Sequence, residues 1–165
     1  MSEPSLVALS AEHDLSGFDC GNPELDRWLI NHALASQKAD LARTYLVLDG
    51  GSVVAYVSLT TGSIRPEAAP KRYTRGMPRY PIPTILIARL AVDRRHQRQR
   101  LGSRLLAEAL RLAVAASDMA AARLVVVDAI DDQAAAFYRR WGFIDVPENP
   151  NRLFRKISDI RNSSP

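Results

Sequence analysis

The run from Thr84 to Val92 is almost continuously apolar, which is typical of a strand buried on both faces of a sheet. Apolar side chains then recur at helical spacing from Gly102 to about Ala116, and a second apolar run follows from Leu124 to Val127. A strand, a helix and a strand in this order predict two parallel strands joined by a helical crossover. The second half of the chain therefore indicates an α/β protein.

The first half predicts antiparallel pairing instead. Thr44 to Leu48 and Val53 to Thr60 are β-rich runs, and the sequence Asp49-Gly50-Gly51 between them predicts a hairpin. Asn22-Pro23 is typical of a helix N-cap followed by the first helical position. The apolar spacing after it predicts a helix from residue 23 to about residue 37.

Three shorter elements complete the pattern. Leu6 to Leu9 is interpreted as a first strand. Asp131 or Asp132 is expected to cap a helix over Gln133 to Arg140, and Leu153 to Ile157 to form a last strand.

The order of elements is thus β-α-β-β-loop-β-α-β-α-β. It predicts the α/β fold class, with a mixed central β-sheet flanked by helices on both faces. The alternation in the second half implies parallel pairing there. No repeat or linker divides the chain, so we expect a single domain over residues 1–160 and a C-terminal tail over residues 161–165.

The composition of the 165-residue chain excludes several classes of protein. Hydrophobic residues make up 47%, which is typical of a globular chain. The apolar runs are too short to span a bilayer and no secretory signal is visible, so we expect a cytoplasmic protein without a membrane partner. The lone Cys20 is interpreted as a small core residue rather than a nucleophile. The three histidines are scattered, so no metal is expected.

The charge of the chain favours an anionic partner. Its net charge is +4, and only three of its 22 basic residues are lysine, namely Lys38, Lys71 and Lys156. Arginine binds phosphate bidentately and stacks on bases, so the excess of arginine favours phosphorylated or nucleic-acid partners. The alternative is a GC-rich genome, which enriches arginine without a functional cause.

Residues 62–83 form a long irregular segment in which prolines alternate with basic residues. Long loops in compact domains are usually functional or mobile. A nucleic-acid surface needs a stripe of cations that neutralises phosphates. We therefore assign substrate binding to Lys71, Arg72, Arg75 and Arg79. The alternative is a dispersed set of solvated cations.

The connection between the strand ending at Asp93 and the helix starting near Gly102 predicts an anion site. Backbone N–H groups at a helix N-terminus point outwards and the helix dipole favours negative charge, which suits a pyrophosphate. His96 lies in this loop and is interpreted as a surface residue. The alternative is an ordinary connection with solvated arginines. The residues assigned to the anion are Gln97, Arg98, Gln99, Arg100, Leu101, Gly102 and Ser103.

The segment Phe137-Tyr138-Arg139-Arg140-Trp141-Gly142-Phe143 carries the candidate catalytic residue. A tyrosine can protonate a thiolate leaving group, because the pKa of tyrosine is about 10 and that of a thiol about 8.5. Tyr138 is therefore a candidate general acid. The alternative is a core aromatic on a short helix.

Together, the loop and the tyrosine segment resemble the GNAT acetyltransferase family over nearly the whole chain. The family motif Ala-x-x-Phe-Tyr-x-x-x-Gly-Phe corresponds to residues 134–143. The resemblance implies the GNAT fold, acetyl-CoA as co-substrate, and direct transfer without a covalent enzyme intermediate. It implies that backbone groups of residues 97–103 hold the pyrophosphate and that Tyr138 protonates the thiolate. The strand residues implied to pair with the pantetheine arm and polarise the thioester are Leu90, Ala91 and Val92.

Further segments are similar to GNAT toxins of bacterial toxin–antitoxin pairs: residues 18–29, 43–45, 77–83 and 88–93. Members of that group acetylate the α-amino group of aminoacyl-tRNA and so block translation. The resemblance implies aminoacyl-tRNA as substrate, a ribbon-helix-helix antitoxin as partner, and a homodimer.

Residues 97–103, called the anion loop from here on, depart from the family pattern Gln/Arg-x-x-Gly-x-Gly/Ala. Arg100 replaces the first glycine, and Arg98 stands where toxin relatives often have another. Glycine allows close backbone approach and positive φ. The arginines would either narrow the acetyl-CoA site or add phosphate contacts, and the sequence leaves both possibilities open.

The predicted function is acetylation of the α-amino group of aminoacyl-tRNA. No Glu or Asp lies within Thr84 to Val92, where many GNAT enzymes keep a general base. An α-amine, with a pKa of about 8, tolerates that absence better than a lysine side chain, with a pKa of about 10.4. One alternative is a GNAT enzyme of a small amine or protein N-terminus, against which the basic segment argues. The other is a non-catalytic GNAT-fold RNA binder in which Arg98 and Arg100 close the cofactor site.

Overall fold

The computed structural model describes residues 5–97, 99–146 and 149–163. Arg98, to which we assigned anion binding, lies outside the described residues. The strands are β1 (Leu6–Ala8), β2 (Arg43–Asp49), β3 (Ser52–Ile64), β4 (Ile82–Val92), β5 (Leu124–Asp128), β6 (Ile144–Val146) and β7 (Asn149–Lys156). The helices are α1 (Pro23–Asn31), α2 (Ala33–Lys38), α3 (Lys71–Thr74), α4 (Leu101–Met119), α5 (Asp132–Arg140) and α6 (Ile157–Ser163). Single 3₁₀ turns cover Pro66–Ala68 and Arg94–His96.

The strands form a seven-stranded sheet in the order β1-β2-β3-β4-β5-β7-β6. β2 and β3 pair antiparallel, as the predicted hairpin requires, and β4 and β5 pair parallel. The predicted α/β class with a mixed central sheet is confirmed.

The pairing of the last strand differs from the prediction. Parallel pairing in the second half is wrong for β7, which runs antiparallel to β5, with Leu124 opposite Lys156. The cause is β6, an additional short strand that forms a hairpin with β7 and reverses the chain before β7 reaches β5. The predicted strand Leu153 to Ile157 also ends one residue too late, because Ile157 begins α6.

The chain divides into two compact units. The first unit comprises Met1–Thr60 and Ala88–Ala109, and the second comprises Thr61–Ile87 and Leu110–Pro165. The core of the first unit is a cluster of Leu9, Phe18, Leu29, Ala33, Leu46, Val53, Tyr56 and Ala91. The core of the second is a cluster of Ala69, Tyr73, Ile82, Leu124, Val126, Val146 and Phe154.

The predicted first helix is two helices. The Asn22 side chain caps α1 by accepting hydrogen bonds from the backbone N–H groups of Glu24 and Leu25, at 3.0 and 3.3 Å. The helix ends at His32, whose φ of −128° is not helical, and α2 starts at the next residue. The apolar periodicity does not record this break, because Leu29 and Ala33 on either side of it are both fully buried.

The segment 62–83 is more ordered than the sequence suggested. β3 extends to Ile64, β4 begins at Ile82, and α3 lies between them. The Tyr73 side chain is buried, and its carbonyl accepts a hydrogen bond from Arg123 Nε at 3.0 Å. The segment is therefore anchored to its own unit at α3.

The C-terminal helix extends beyond the expected boundary. We expected a tail from residue 161, whereas α6 continues to Ser163. The Arg161 side chain bonds Ser117 and Asp118 in α4, at 3.2 and 3.0 Å. The assignment of residues 1–160 to a single domain stays a prediction.

Within the described ranges, no helix is long and apolar enough to cross a membrane. The same ranges contain no group of three or more His, Cys, Asp or Glu side chains that could hold a metal ion.

Candidate active site

A buried carboxylate fixes the loop that follows β4. The Asp93 side chain is fully buried and accepts hydrogen bonds from the backbone N–H groups of Asp19 and Arg95, at 3.2 and 3.0 Å. The Arg95 guanidinium adds two charged hydrogen bonds, from Nε at 2.9 Å and Nη2 at 3.1 Å. These bonds from Arg95, and those from the backbone, lower the pKa of Asp93 to about 2. The loop thus begins at a charge that stays ionised at neutral pH.

Gln97 ties the same loop to two neighbouring segments. Its Nε2 atom donates to the carbonyls of Cys20 and Val92, both at 2.9 Å. The backbone N–H of Arg94 donates to the Asp19 carbonyl at 2.9 Å. The side chain of Gln97 therefore stabilises the fold, and only its backbone remains to bind the predicted anion.

His96 differs from our interpretation as a surface residue. Its side chain is 22% exposed, with Nδ1 4.0 Å from Asp93 Oδ1 and Nε2 3.8 Å from Asp49 Oδ2. Nδ1 is buried and has no hydrogen-bond partner among the residues that the structure describes.

The start of α4 carries an unusual backbone conformation. Arg100 has a φ of +58°, the left-handed region that a non-glycine side chain rarely occupies. This is the position at which the family pattern has glycine, so the backbone keeps the glycine conformation although the residue is arginine. Gln99 and Arg100 are exposed, whereas Leu101, Gly102 and Ser103 are half-buried at the first turn of α4. The first unit thus brings together the residues assigned to the cofactor, Arg98 aside: Leu90, Ala91, Val92, Gln97, Gln99, Arg100, Leu101, Gly102 and Ser103.

Tyr138 lies in the second unit, on α5. Asp131 caps this helix by accepting a hydrogen bond from the Ala134 N–H at 2.8 Å. The Tyr138 ring meets Phe137 and Phe143 edge-on, with centroids 5.3 and 5.5 Å apart. Burial raises the pKa of Tyr138 to about 12.

The Tyr138 ring is a core aromatic, whereas a general-acid role would depend on its hydroxyl alone. None of the described residues forms a hydrogen bond with that hydroxyl. A buried phenol with a raised pKa keeps its proton at neutral pH, and so remains a donor for a developing anion. The core interpretation and the general-acid interpretation therefore apply to different atoms of one side chain.

The four cations assigned to substrate binding lie in the second unit and are exposed: Lys71, Arg72, Arg75 and Arg79. No carboxylate in the described part of the chain forms an ion pair with any of them. The Arg72 guanidinium lies 5.2 Å from the centroid of the Tyr73 ring. A cleft of about 280 Å³ along this segment is lined by Pro66, Glu67, Lys71, Thr74, Met77, Pro78, Arg79 and Ile82.

Other arginines of the second unit are engaged internally. Arg152 holds Asp128 through two bonds, at 2.6 and 2.8 Å, and Arg139 holds Asp145 at 3.0 Å. These arginines are therefore less available to a polyanion than the cations of the segment 71–79.

Sequence reasoning did not assign a role to Arg89, one residue before Leu90. Its guanidinium lies over the Trp28 ring, with Cζ 3.9 Å from the centroid. A cleft of about 380 Å³ is lined by Glu24, Leu25, Arg27, Trp28, His32, Ala88 and Arg89. The signal in the sequence was a single arginine within an apolar strand run, which is unusual for a buried strand.

These two sets of residues define a class of protein. A strand that leads through an arginine-rich loop to a helix N-terminus is expected of a site for a phosphorylated carrier, and a buried tyrosine is expected of a general acid, as in a coenzyme A-dependent acyltransferase. The chain matches the model of the Acetyltransferase (GNAT) family over residues 10–143. The protein belongs to this family.

Several characterised relatives are similar over almost the whole chain. A tRNA-acetylating toxin of Mycobacterium tuberculosis (strain ATCC 25618 / H37Rv) is 38% identical over 153 residues, which cover 93% of this chain and 92% of the relative. The structure of AtaT complexed with acetyl-methionyl-tRNAfMet has a TM-score of 0.89 at 29% identity, covering 96% of this chain and 97% of AtaT. A mutant AtaT toxin bound to the C-terminus of the antitoxin AtaR and acetyl-CoA has a TM-score of 0.82 at 28% identity, covering 98% and 97%.

Proposed function

We propose that this protein transfers the acetyl group of acetyl-CoA to the α-amino group of an aminoacyl-tRNA, and thereby blocks translation as a toxin. The observation that carries the proposal is the 38% identity to a tRNA-acetylating toxin over 93% of the chain. The cations of the segment 71–79, which form no ion pair with a carboxylate of the described residues, support it, since RNA binding depends on phosphate neutralisation.

The residues suit the chemistry of direct transfer. The neutral α-amine attacks the thioester carbonyl carbon, the C–S bond breaks, and the amine loses a proton as the amide forms. The departing sulfur takes up the proton that Tyr138 donates, and the tyrosine is reprotonated by the proton released from the amine, so the products are N-acetyl-aminoacyl-tRNA and coenzyme A. Backbone groups of Leu90 to Val92 orient the thioester, and the loop after Asp93 holds the pyrophosphate.

The protonation of Tyr138 is consistent with this role. Its pKa of about 12 keeps the hydroxyl protonated at neutral pH. A thiolate that forms in the same apolar surroundings is also a stronger base than in water, because burial raises the pKa of its conjugate acid. Burial therefore raises the pKa of the hydroxyl and that of the leaving thiol in the same direction.

The proposal includes the regulation of the toxin. The AtaT relative binds the C-terminus of an antitoxin, and we propose a ribbon-helix-helix antitoxin for this protein as well. A homodimer and a cytoplasmic location belong to the same proposal, the latter because aminoacyl-tRNA is a cytoplasmic substrate.

A labelling experiment tests the function. Purified protein is incubated with [¹⁴C]acetyl-CoA and either aminoacyl-tRNA or the same tRNA after deacylation. Label should enter the aminoacyl-tRNA and be released with the amino acid on mild alkaline hydrolysis of the ester. Label in neither RNA, with acetyl-CoA still bound, would contradict the proposed substrate; failure to bind acetyl-CoA would point to a non-catalytic RNA binder.

A further inference from the structure

A stack of aromatic side chains within the first unit holds Arg89 in place. The Trp28 ring, which faces the Arg89 guanidinium at 3.9 Å, also stacks on the Tyr56 ring at 6.2 Å with an interplanar angle of 15°. Tyr56 is fully buried, and its hydroxyl donates to the Leu25 carbonyl at 2.7 Å. Phe18 packs edge-on against Tyr56 at 5.4 Å. Arg89 is therefore fixed by packing, unlike a solvated surface arginine.

The Arg89 guanidinium has no polar partner within the described residues. It is only half-exposed, and its burial lowers its pKa, which the neighbouring Tyr56 partly offsets. In the same unit, Arg43, Arg94 and Arg95 each bond a carboxylate and are more exposed. A partly desolvated cation without an acid partner lacks the compensation that buried charges usually have.

The geometry leaves one part of the guanidinium free. Its face is covered by Trp28, whereas the in-plane N–H donors have no partner in the described ranges. Those donors form a planar fork that matches the oxygens of a phosphate. The cleft that Arg89 lines also carries Arg27, His32 and one carboxylate, Glu24, so its two arginines outnumber its single acid and a negatively charged ligand would find further donors there.

The place of Arg89 in the chain relates it to the acceptor. In the proposed function, the pyrophosphate binds after β4 and the pantetheine arm runs back along Val92, Ala91 and Leu90. The acetyl end of the cofactor then lies towards Arg89, where the acceptor amine arrives. In an aminoacyl-tRNA, the charge of the RNA that lies nearest to that amine is the phosphodiester next to the 3′-terminal nucleoside.

Resting on the proposed function, we propose that Arg89 binds the phosphodiester adjacent to the 3′-terminal nucleoside of aminoacyl-tRNA, with Trp28 holding the guanidinium in plane. The contact fixes the terminal nucleoside relative to the thioester and favours an RNA-linked amine over a free amino acid. Arg89 is thus a binding and specificity residue rather than a catalytic one.

The first experiment compares two acceptors. Arg89→Met keeps an unbranched stem against Trp28 but removes the donors, and Arg89→Lys keeps the charge but loses the fork. For aminoacyl-tRNA, we expect kcat/KM to fall roughly 10- to 100-fold in Arg89→Met, the range of a charged hydrogen bond, with Arg89→Lys between Arg89→Met and wild type. For an aminoacyl ester of adenosine, which lacks the phosphate, kcat/KM should stay near the wild-type value. Arg161→Met, which removes an arginine already paired with Asp118, is the matched control and should change neither value.

The second experiment measures binding without catalysis. A short single-stranded RNA ending in the tRNA sequence CCA is titrated with wild type and Arg89→Met over a range of salt concentrations. The log–log salt slope should fall by about 0.7 in the variant, the contribution of one phosphate of a single strand.

Each outcome decides one of the proposals. Equal loss with both acceptors, or unchanged kcat/KM together with an unchanged slope, overturns the phosphate contact. A loss confined to the aminoacyl ester of adenosine, which lacks the phosphate, overturns it too. A reduced slope in Arg89→Met, with no acetylation of aminoacyl-tRNA by the wild type, keeps the contact and rejects the proposed function.

Discussion

The carboxylate of Asp93 and the guanidinium of Arg95, two residues apart in the chain, are joined by two hydrogen bonds of 2.9 and 3.1 Å at the point where β4 becomes the anion loop. Asp93 is fully buried, so the loop begins at a fixed, ionised anchor. The loop conformation and the stability of the fold are therefore linked through one titrating group.

The first prediction concerns pH. The pKa of Asp93 is about 2 in the folded protein, against 3.8 ordinarily. A lowered folded-state pKa contributes stability that is present above about pH 4 and is lost as the pH falls towards 2. Asp93→Asn should lack this contribution, so its unfolding free energy should lie about 1–3 kcal/mol below wild type at pH 7 and converge with it near pH 2. Urea denaturation at several pH values measures both. A constant difference between the two proteins down to pH 2 would show that Asp93 does not titrate as described.

The second prediction concerns the acid. Tyr138→Phe keeps the ring contacts with Phe137 and Phe143 and removes only the hydroxyl. Turnover should fall by roughly 10²–10⁴, while the Kd of acetyl-CoA and the melting temperature stay close to wild type. Steady-state kinetics and calorimetry measure these quantities, with Tyr45→Phe as a control for the loss of a tyrosine hydroxyl elsewhere. Near-normal turnover in Tyr138→Phe would remove this hydroxyl from the mechanism.

The third prediction concerns Arg100, whose φ of +58° costs a non-glycine residue about 1 kcal/mol. We expect Arg100→Gly to be as stable as wild type or slightly more so, because relief of that cost offsets the added freedom of the unfolded chain. If the side chain contacts a phosphate of acetyl-CoA, Arg100→Gly should bind it roughly tenfold more weakly. Arg100→Ala, which loses the charge but keeps the Cβ, should weaken binding equally. Tighter binding in Arg100→Gly would mean that the arginine obstructs the site, as in the non-catalytic alternative.

The fourth prediction concerns the segment 71–79. Arg72→Ala or Arg75→Ala should each reduce the log–log salt slope of tRNA binding by about one unit or less, since each exposed cation neutralises at most one phosphate. Arg139→Ala, which removes a cation already paired with Asp145, is the matched control and should leave the slope unchanged. Filter binding at several salt concentrations checks this. If Arg72→Ala and Arg75→Ala behave like Arg139→Ala, the segment is not the RNA surface.

Much of the fold was predictable because apolar periodicity and turn chemistry agree. The hairpin at Gly50-Gly51, the parallel pair β4 and β5, and the cap at Asp131 each have a local signal. β6 had none, because three residues are too few for a period to appear. The antiparallel pairing of β7 with β5 depends on β6, so it could not be predicted without β6.

Prediction of the site followed the same rule. Tyr138 and the loop after β4 are marked by local motifs, and the family is confirmed by the match over residues 10–143. The hydrogen bond from Gln97 to the Cys20 carbonyl joins residues 77 positions apart in the chain, and the stack of Arg89 on Trp28 joins residues 61 positions apart. Long-range pairs of this kind leave no periodicity in one sequence, so composition and spacing could not supply them.

The burial of Tyr138 also limits how the role proposed for it can be tested. Tyr80, 72% exposed, is accessible to nitrating and iodinating reagents, which attack the phenolate form of solvent-accessible tyrosines. Tyr138, with 8% of its surface exposed and a pKa of about 12, forms almost no phenolate under mild conditions. Chemical modification at moderate pH would thus leave Tyr138 unmodified, so activity that survives the treatment would not test the role proposed for it. The pH dependence of the rate at alkaline pH would not reveal the ionisation of Tyr138 either, since folded proteins rarely survive to the pH at which this hydroxyl ionises.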